Sequence, residues 1–260
     1  MLGKNNNWIH RRKIFYRLDV LGFAPLVVPI QDTRNDIADL TNVSIYGNLH
    51  LMKIFDLMPS VKDLIPYDYE HIRCDEYEKI ISDFLSNCHK GTSFEQVSGA
   101  PGSGKTTFCQ KIIKDNFLSF DNIMENLSSY QSDQKKYGSK QAFENNEIIA
   151  RIIGYEILLR AIENGYALIL EHSGVNSAHL ELFVNLKKLN YQTKVDFLIC
   201  DLDVLLERVK LREQVTHRHT PQATIEKRYA LIQEYIEKYK KIADEIEIYN
   251  SMNEQYEPIT

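Results

Sequence analysis

Apolar residues first settle into a helical rhythm over 74–87, where Tyr77, Ile80, Ile81, Phe84 and Leu85 recur at three- and four-residue spacing on one face. Beyond it the pattern becomes short apolar runs alternating with longer amphipathic stretches, which predicts a parallel sheet covered by helices. The runs at 94–97, 117–120, 166–170, 195–200 and 246–249 read as strands. Those at 166–170 and 195–200 are continuous and bounded by polar or turn residues, the form of fully buried parallel strands. Helices are expected over 104–114, 143–163, 177–188 and 204–213, and along a last stretch carrying Ile225, Tyr229, Ile232, Ile236 and Tyr239. The helix over 143–163 is apolar on most sides and should be deeply buried, with Asn164-Gly165 as its stop. Between 125 and 140 the chain is polar (Ser128, Ser129, Gln131, Ser132, Asp133, Gln134, Lys135, Lys136) and reads as a mobile loop with room for a substrate.

Residues 1–72 mix basic, apolar and turn-forming stretches and carry no chemistry that the sequence identifies. Leu26-Val27-Val28 is a short strand candidate within the apolar run 20–30. That run holds Pro25 and Pro29 and lacks a small-residue cleavage site, so it reads as a buried strand or turn instead of a targeting signal. No segment approaches the roughly 20 consecutive apolar residues of a membrane helix, and the expected location is the cytoplasm.

Composition adds exclusions. At 43% hydrophobic and 26% charged, the 260 residues have the make-up of a soluble globular chain. A net charge of -5 provides no global positive field to hold nucleic acid. Cys74, Cys88, Cys109 and Cys200 lack both zinc-site spacing and the density of a disulfide framework, and read as reduced, mostly buried thiols. His172, His217 and His219 have no metal-ligand spacing with neighbouring Cys or carboxylates, so no zinc is expected.

Chemistry enters with Gly99-Ala100-Pro101-Gly102-Ser103-Gly104-Lys105-Thr106, which matches G-x-x-x-x-G-K-[ST] between a strand and a helix. Glycines let backbone N–H groups turn inward as an anion nest, and the helix N-terminus adds partial positive charge. Lys105 is positioned for the β- and γ-phosphates of ATP and Thr106 for Mg²⁺, with Thr107 completing the ATP-binding set. Thr193-Lys194-Val195-Asp196 fits the guanine-reading string [NT]-K-x-D but precedes its apolar run instead of ending it, which argues against a GTPase.

A kinase further needs a carboxylate at the acceptor hydroxyl, an acid near Mg²⁺ and arginines over the transferring phosphoryl group. Asp121 follows the second strand at its C-terminal edge and is the candidate base; it could equally cap a helix starting at Asn122. Glu171 ends the strand 166–170 and is the candidate for a Mg²⁺-water or substrate contact, or is a strand-end surface acid. Arg208, Arg212 and Arg218 lie in the region where small P-loop kinases close a lid, and Arg208 also suits a solvated helix face.

The P-loop, the run from Gly165 to Gly174 (Gly-Tyr-Ala-Leu-Ile-Leu-Glu-His-Ser-Gly) and Arg212 with Arg218-His219-Thr220-Pro221 together resemble the zeta-toxin family over about residues 93–240. The resemblance implies an α/β P-loop NTPase fold, a three-layer αβα sandwich of adenylate-kinase type around a central parallel sheet. Residues 73–260 would form this kinase domain and residues 1–72 a small N-terminal extension. It implies transfer of the ATP γ-phosphate, with Mg²⁺, to the sugar 3′-hydroxyl of UDP-N-acetylglucosamine, and a small antitoxin that blocks the ATP site. Carried onto this sequence, Lys105 and Thr106 become the phosphate and Mg²⁺ residues and Asp121 the base. Glu171 and Ser173 fall on the substrate side, and Arg212 and Arg218 bind phosphate. The chain departs from the family in having one acid where an Asp-x-Asp-like pair is common, and His172-Ser173 where small residues follow the strand-end acid. Two further readings stay open: a kinase for a nucleoside, nucleotide or polynucleotide 5′-end, and a module that binds ATP without transferring phosphate.

Overall fold

A computed structural model of the protein describes residues 54–66, 74–216, 218–252 and 255–259. The strand candidate at 26–28, the run 20–30 and His217 lie outside the described residues, as does the expected domain boundary at 72/73.

The strands build one six-stranded sheet in the order β2-β3-β1-β4-β5-β6. They are β1 (Ser93–Ser98), β2 (Leu118–Ser119), β3 (Leu168–Glu171), β4 (Gln192–Ile199), β5 (Glu245–Asn250) and β6 (Glu257–Pro258). The first five pair in parallel and β6 returns antiparallel on β5, so the expected last strand is followed by one more. Parallel pairing fixes the chemistry at one edge: Val97 of β1 is in register with both Glu171 of β3 and Asp196 of β4, and Ser119 of β2 with Glu171. The ends of β1, β2 and β3 therefore open onto a common crevice, where open α/β sheets place ligands.

The helices are α1 (Asp75–Ser86), α2 (Lys105–Phe108, continuing as a π-helical turn Cys109–Ile113), α3 (Phe120–Asn126), α4 (Ser128–Tyr137), α5 (Ser139–Glu163), α6 (Ser177–Lys188), α7 (Leu202–Thr216) and α8 (Gln222–Tyr239). Three acids, Asp75, Glu76 and Glu78, occupy the first turn of α1, where they oppose the helix dipole. Helix α5 buries an unbroken run from Ile152 to Leu159 between β2 and the helices α1, α3 and α4, as its all-round apolar character requires. Residues 54–66 pack into the same core through Ile54, Met58, Val61 and Ile65. Glu181 of α6 holds that segment by accepting from both the amide and the hydroxyl of Ser60.

The polar stretch 125–140, expected as a loop, instead holds the end of α3, the whole of helix α4 and the start of α5. Its order comes from outside the segment. The Glu76 carboxylate accepts from Ser128 N at 2.8 Å and from Ser128 Oγ at 3.0 Å, satisfying the exposed donors of the helix start. Buried Asn146 accepts from Ser129 Oγ and donates to Asp133, while Leu127 and Tyr130 sink into the core.

The four cysteines are free, but only Cys109 is buried; Cys88 and Cys200 are half-buried and Cys74 is exposed. Among the described residues no helix is long and apolar enough to cross a membrane.

Candidate active site

Strand β1 runs into the P-loop at 99–104, and the loop closes on α2. Two glycines are required by geometry. Gly99 has φ +148°, and a Cβ there would lie 2.5 Å from Ser103 Oγ and 2.6 Å from the Leu198 carbonyl oxygen. Gly102 has φ +89°, and its Cβ would meet the Leu205 carbonyl at 2.7 Å. Ala100 and Ser103 are buried within the loop, and Pro101, Gly104, Thr106 and Thr107 are half-buried. Lys105 Nζ donates to the carbonyls of Gly99 and Ala100, both at 3.0 Å. Burial pulls its pKa down to about 8, against the opposing pull of Glu171 and Asp121; Arg228 and Arg218 add to the depression.

Glu171 is buried at the end of β3, so it is no surface acid. Its Oε1 accepts from Thr106 Oγ1 at 2.8 Å, and its Oε2 is buried without a partner. A P-loop hydroxyl joined to a carboxylate with an unused buried oxygen is an all-oxygen donor set, which suits a hard cation such as Mg²⁺. Among the described residues no group of three His, Cys, Asp or Glu forms a metal cage, and Mg²⁺ bound beside phosphates does not need one.

Asp121 stands at the second position of α3. The cap of that helix is Ser119, whose Oγ accepts from Asn122 N, so the capping reading of Asp121 falls away. Its Oδ2 instead accepts from Arg218 Nη2 at 2.6 Å, and Glu125, one turn further along α3, accepts from Arg218 Nη1 at 3.3 Å. Burial opposes the charge on Arg218, but Asp121, Glu125 and Glu171 outweigh it and raise its pKa. Arg212 donates to Thr220 Oγ1 at 2.7 Å, while its Nε is buried with no partner. Burial first, then Arg218, lowers its pKa to about 10. Arg208 is more than solubilising charge: it donates to the carbonyls of Gly102, Ser251 and Met252, tying the P-loop to the turn after β5.

Below the crevice runs a chain of buried polar groups. Tyr239 OH donates to the Gly174 carbonyl, and Gln96 Nε2 donates to Ser98 Oγ and to Tyr239 OH. Gln96 Oε1 lies 2.6 Å from His179 Nδ1 and Tyr155 OH 3.2 Å from His179 Nε2, so Nδ1 carries the ring proton and Nε2 accepts from the tyrosine. Burial holds His179 neutral, its pKa down to about 3, with Arg228 and Arg151 adding to the shift. His172 stacks on it with ring centroids 3.8 Å apart, and its Nδ1 accepts from Gly174 N. Such a satisfied network fixes the end of β3, and Ser173 with it, in one arrangement.

Two residues escaped the sequence reading. Arg228 of α8 donates to Ser173 Oγ. Its signal is positional: 225, 228, 232, 236 and 239 share one helical face, so Arg228 interrupts an apolar stripe. Tyr130 of α4 is 3% exposed with an unpartnered hydroxyl, and Glu125, Arg218, Asp121 and Arg212 are its electrostatic neighbours. The string Thr193 to Asp196 lies inside β4, where Lys194 pairs with Glu95, Asp196 and Glu247, so it reads no guanine.

Among solved structures, a chain from the PezAT chromosomal toxin-antitoxin system of Streptococcus pneumoniae superposes with TM-score 0.56 at 18% identity, covering 72% of this chain and 81% of that one. A chain of the AvrRxo1-ORF1:AvrRxo1-ORF2 complex with sulphate ions gives 0.54 at 10% identity, covering 70% of this chain and 64% of that one. The same complex solved with ATP gives 0.54 at 10% identity over the same shares. No curated protein matches the chain. The 2-3-1-4-5 sheet and P-loop crevice have the fold of the P-loop kinases, and the family match over residues 94–256 makes the chain an ATP-dependent phosphotransferase. The family model described as Zeta toxin matches residues 94–256, more than half of the sequence, and the chain belongs to the zeta-toxin family.

Proposed function

We propose that the protein transfers the ATP γ-phosphate to a hydroxyl of a small-molecule acceptor, and that this acceptor is a UDP-N-acetyl sugar. The observation that carries the reading is the meeting of two pairs in one crevice: Thr106 with Glu171 on the donor side, and Asp121 with Arg218 on the acceptor side. Lys105 exchanges its two loop carbonyls for β- and γ-phosphate oxygens, and the loop amides hold the remaining anionic oxygens. Arg212 and Arg218 neutralise charge on the phosphoryl group as it moves. Asp121 orients the acceptor hydroxyl and takes its proton, which requires Arg218 to release the carboxylate oxygen that it holds. Thr106 and Glu171 would hold Mg²⁺, which supplies charge neutralisation on the β- and γ-phosphates.

An antitoxin-like inhibitor that covers the ATP crevice belongs to the same reading. It is supported by the family and by the toxin-antitoxin system named for the pneumococcal neighbour.

The test is mass spectrometry of UDP-N-acetylglucosamine, and separately of a metabolite extract, after incubation with the protein, ATP and Mg²⁺. A phosphorylated UDP-sugar, absent with Lys105→Ala, is the expected result. Labelling confined to a nucleoside or an RNA end would replace the acceptor, and tight ATP binding without any transfer would remove the kinase reading.

A further inference from the structure

Arg228 presents a charge that no ion pair among the described residues answers. It is half-buried, yet among the described residues its one hydrogen bond is to the neutral Ser173 hydroxyl, and no carboxylate lies in ion-pair range. Of the neighbouring acids, Asp121 and Glu125 pair with Arg218 and Glu147 pairs with Arg151, while Glu171 holds the Thr106 hydroxyl through one oxygen. Burial, and then the Arg151 guanidinium, push the Arg228 pKa below its ordinary value. Keeping a partly desolvated cation without a counter-charge costs free energy, which an anionic ligand would offset.

The position says which ligand. Ser173 follows β3, which lies between β1 and β2 and so between the P-loop and Asp121. Donors gather at this strand end. Arg228 retains N–H groups beyond the one used on Ser173, and the Ser173 hydroxyl that accepts from Arg228 keeps its own proton to give. His172, with Nδ1 occupied by Gly174 N–H, carries its proton on Nε2, for which no described residue is a partner. A planar guanidinium with hydroxyl and imidazole donors matches the several oxygens of a phosphoryl group.

We propose that Arg228, aimed by Ser173, forms an anion site on the acceptor side of the crevice, separate from the P-loop, that takes a phosphoryl group already carried by the acceptor. This assignment rests on the kinase reading above. It divides the arginines by task, with Arg212 and Arg218 on the transferring group and Arg228 on the acceptor.

The experiment is calorimetric titration of inorganic phosphate into the full chain already saturated with Mg²⁺ and a non-hydrolysable ATP analogue, so that the P-loop is filled. Saturable binding is expected, weakened about tenfold or more in Arg228→Gln and measurably in Ser173→Ala, with analogue affinity unchanged in both. Absence of phosphate binding to the loaded wild type, or equal binding by the variants, overturns the proposal. A fall in analogue affinity in place of phosphate affinity assigns Arg228 to the donor and also overturns it. Equal competition by acetate at matched ionic strength overturns the phosphoryl assignment. Should Arg228→Gln fail to fold, Ser173→Ala decides alone. Failure of the wild type to bind the analogue would instead bring down the kinase reading, and this assignment with it.

Discussion

Arg218 Nη2 sits 2.6 Å from Asp121 Oδ2, joining the segment that follows α7 to the helix that follows β2 across the mouth of the crevice. The arginine is 12% exposed and the carboxylate 45% exposed, so the pair is only partly screened by water. Because the same arginine also holds Glu125, a carboxylate remains to receive it when Asp121 is released.

Asp121→Asn keeps a partner for Arg218 but removes the proton acceptor. Turnover should fall by about 10²–10⁴-fold, the usual weight of a positioned base, while ATP affinity holds. Single-turnover phosphotransfer beside equilibrium ATP binding measures both, and a variant with undiminished turnover would remove Asp121 from the chemistry.

Legibility in the sequence followed the range of the forces involved. The P-loop was readable because eight consecutive residues carry the whole constraint, and β3 and β4 because a buried parallel strand advertises itself as an apolar run. Helix α4 was not readable, since its start is satisfied by Glu76, 52 positions away, and its flank by Asn146. Asp121 was ambiguous between base and cap because both uses favour Asp at a strand-to-helix junction; the cap passed to Ser119, one residue after Leu118 opens β2. Arg228 acquires its place only when α8 packs over the end of β3, although an arginine in a stripe of Ile and Tyr was the available sign.

Glu171→Gln preserves an oxygen for the Thr106 hydroxyl but removes the charge behind it. The expected effect is a rise of roughly 10- to 100-fold in the Mg²⁺ concentration needed for half-maximal activity, with ATP-free folding intact. Titration of activity with Mg²⁺ reads this directly. An unchanged Mg²⁺ requirement would place Glu171 outside the metal's surroundings.

Gly154 lies where α5 meets Phe120, the residue before Asp121. A Cβ at 154 would stand 2.2 Å from Phe120 Cδ1, so Gly154→Ala must displace the ring. Overpacking of this kind costs about 1–3 kcal/mol, more than the ~1 kcal/mol that Ala returns in helix propensity. Stability and turnover should fall together, because α3 shifts with its first residue. Adding Phe120→Leu should restore part of both; a Gly154→Ala protein with wild-type melting temperature and turnover would show that the contact is soft.

Asp196 is fully buried in β4, and Lys194 Nζ stands 3.2 Å from its Oδ1 without forming a hydrogen bond to it. Burial, and then the adjacent Glu95 carboxylate, raise its pKa from 3.8 to about 8, against the pull of Lys194. Glu247 and Tyr249 complete the surroundings, hydrogen-bonded to each other at 2.5 Å. The folded chain thus holds a proton that the unfolded chain releases near pH 4. Stability from this group is fully present below that pH and declines as pH rises toward about 8, because there the folded state binds more protons than the unfolded one. Asp196→Asn cannot titrate, so its stability relative to wild type should grow across this interval, by roughly 1 kcal/mol for each pH unit and several kcal/mol at the upper end. Urea unfolding of both proteins at pH 5 and pH 8 measures the difference. Parallel pH dependence of the two would mean that Asp196 is ionised in the folded protein, with Lys194 outweighing burial.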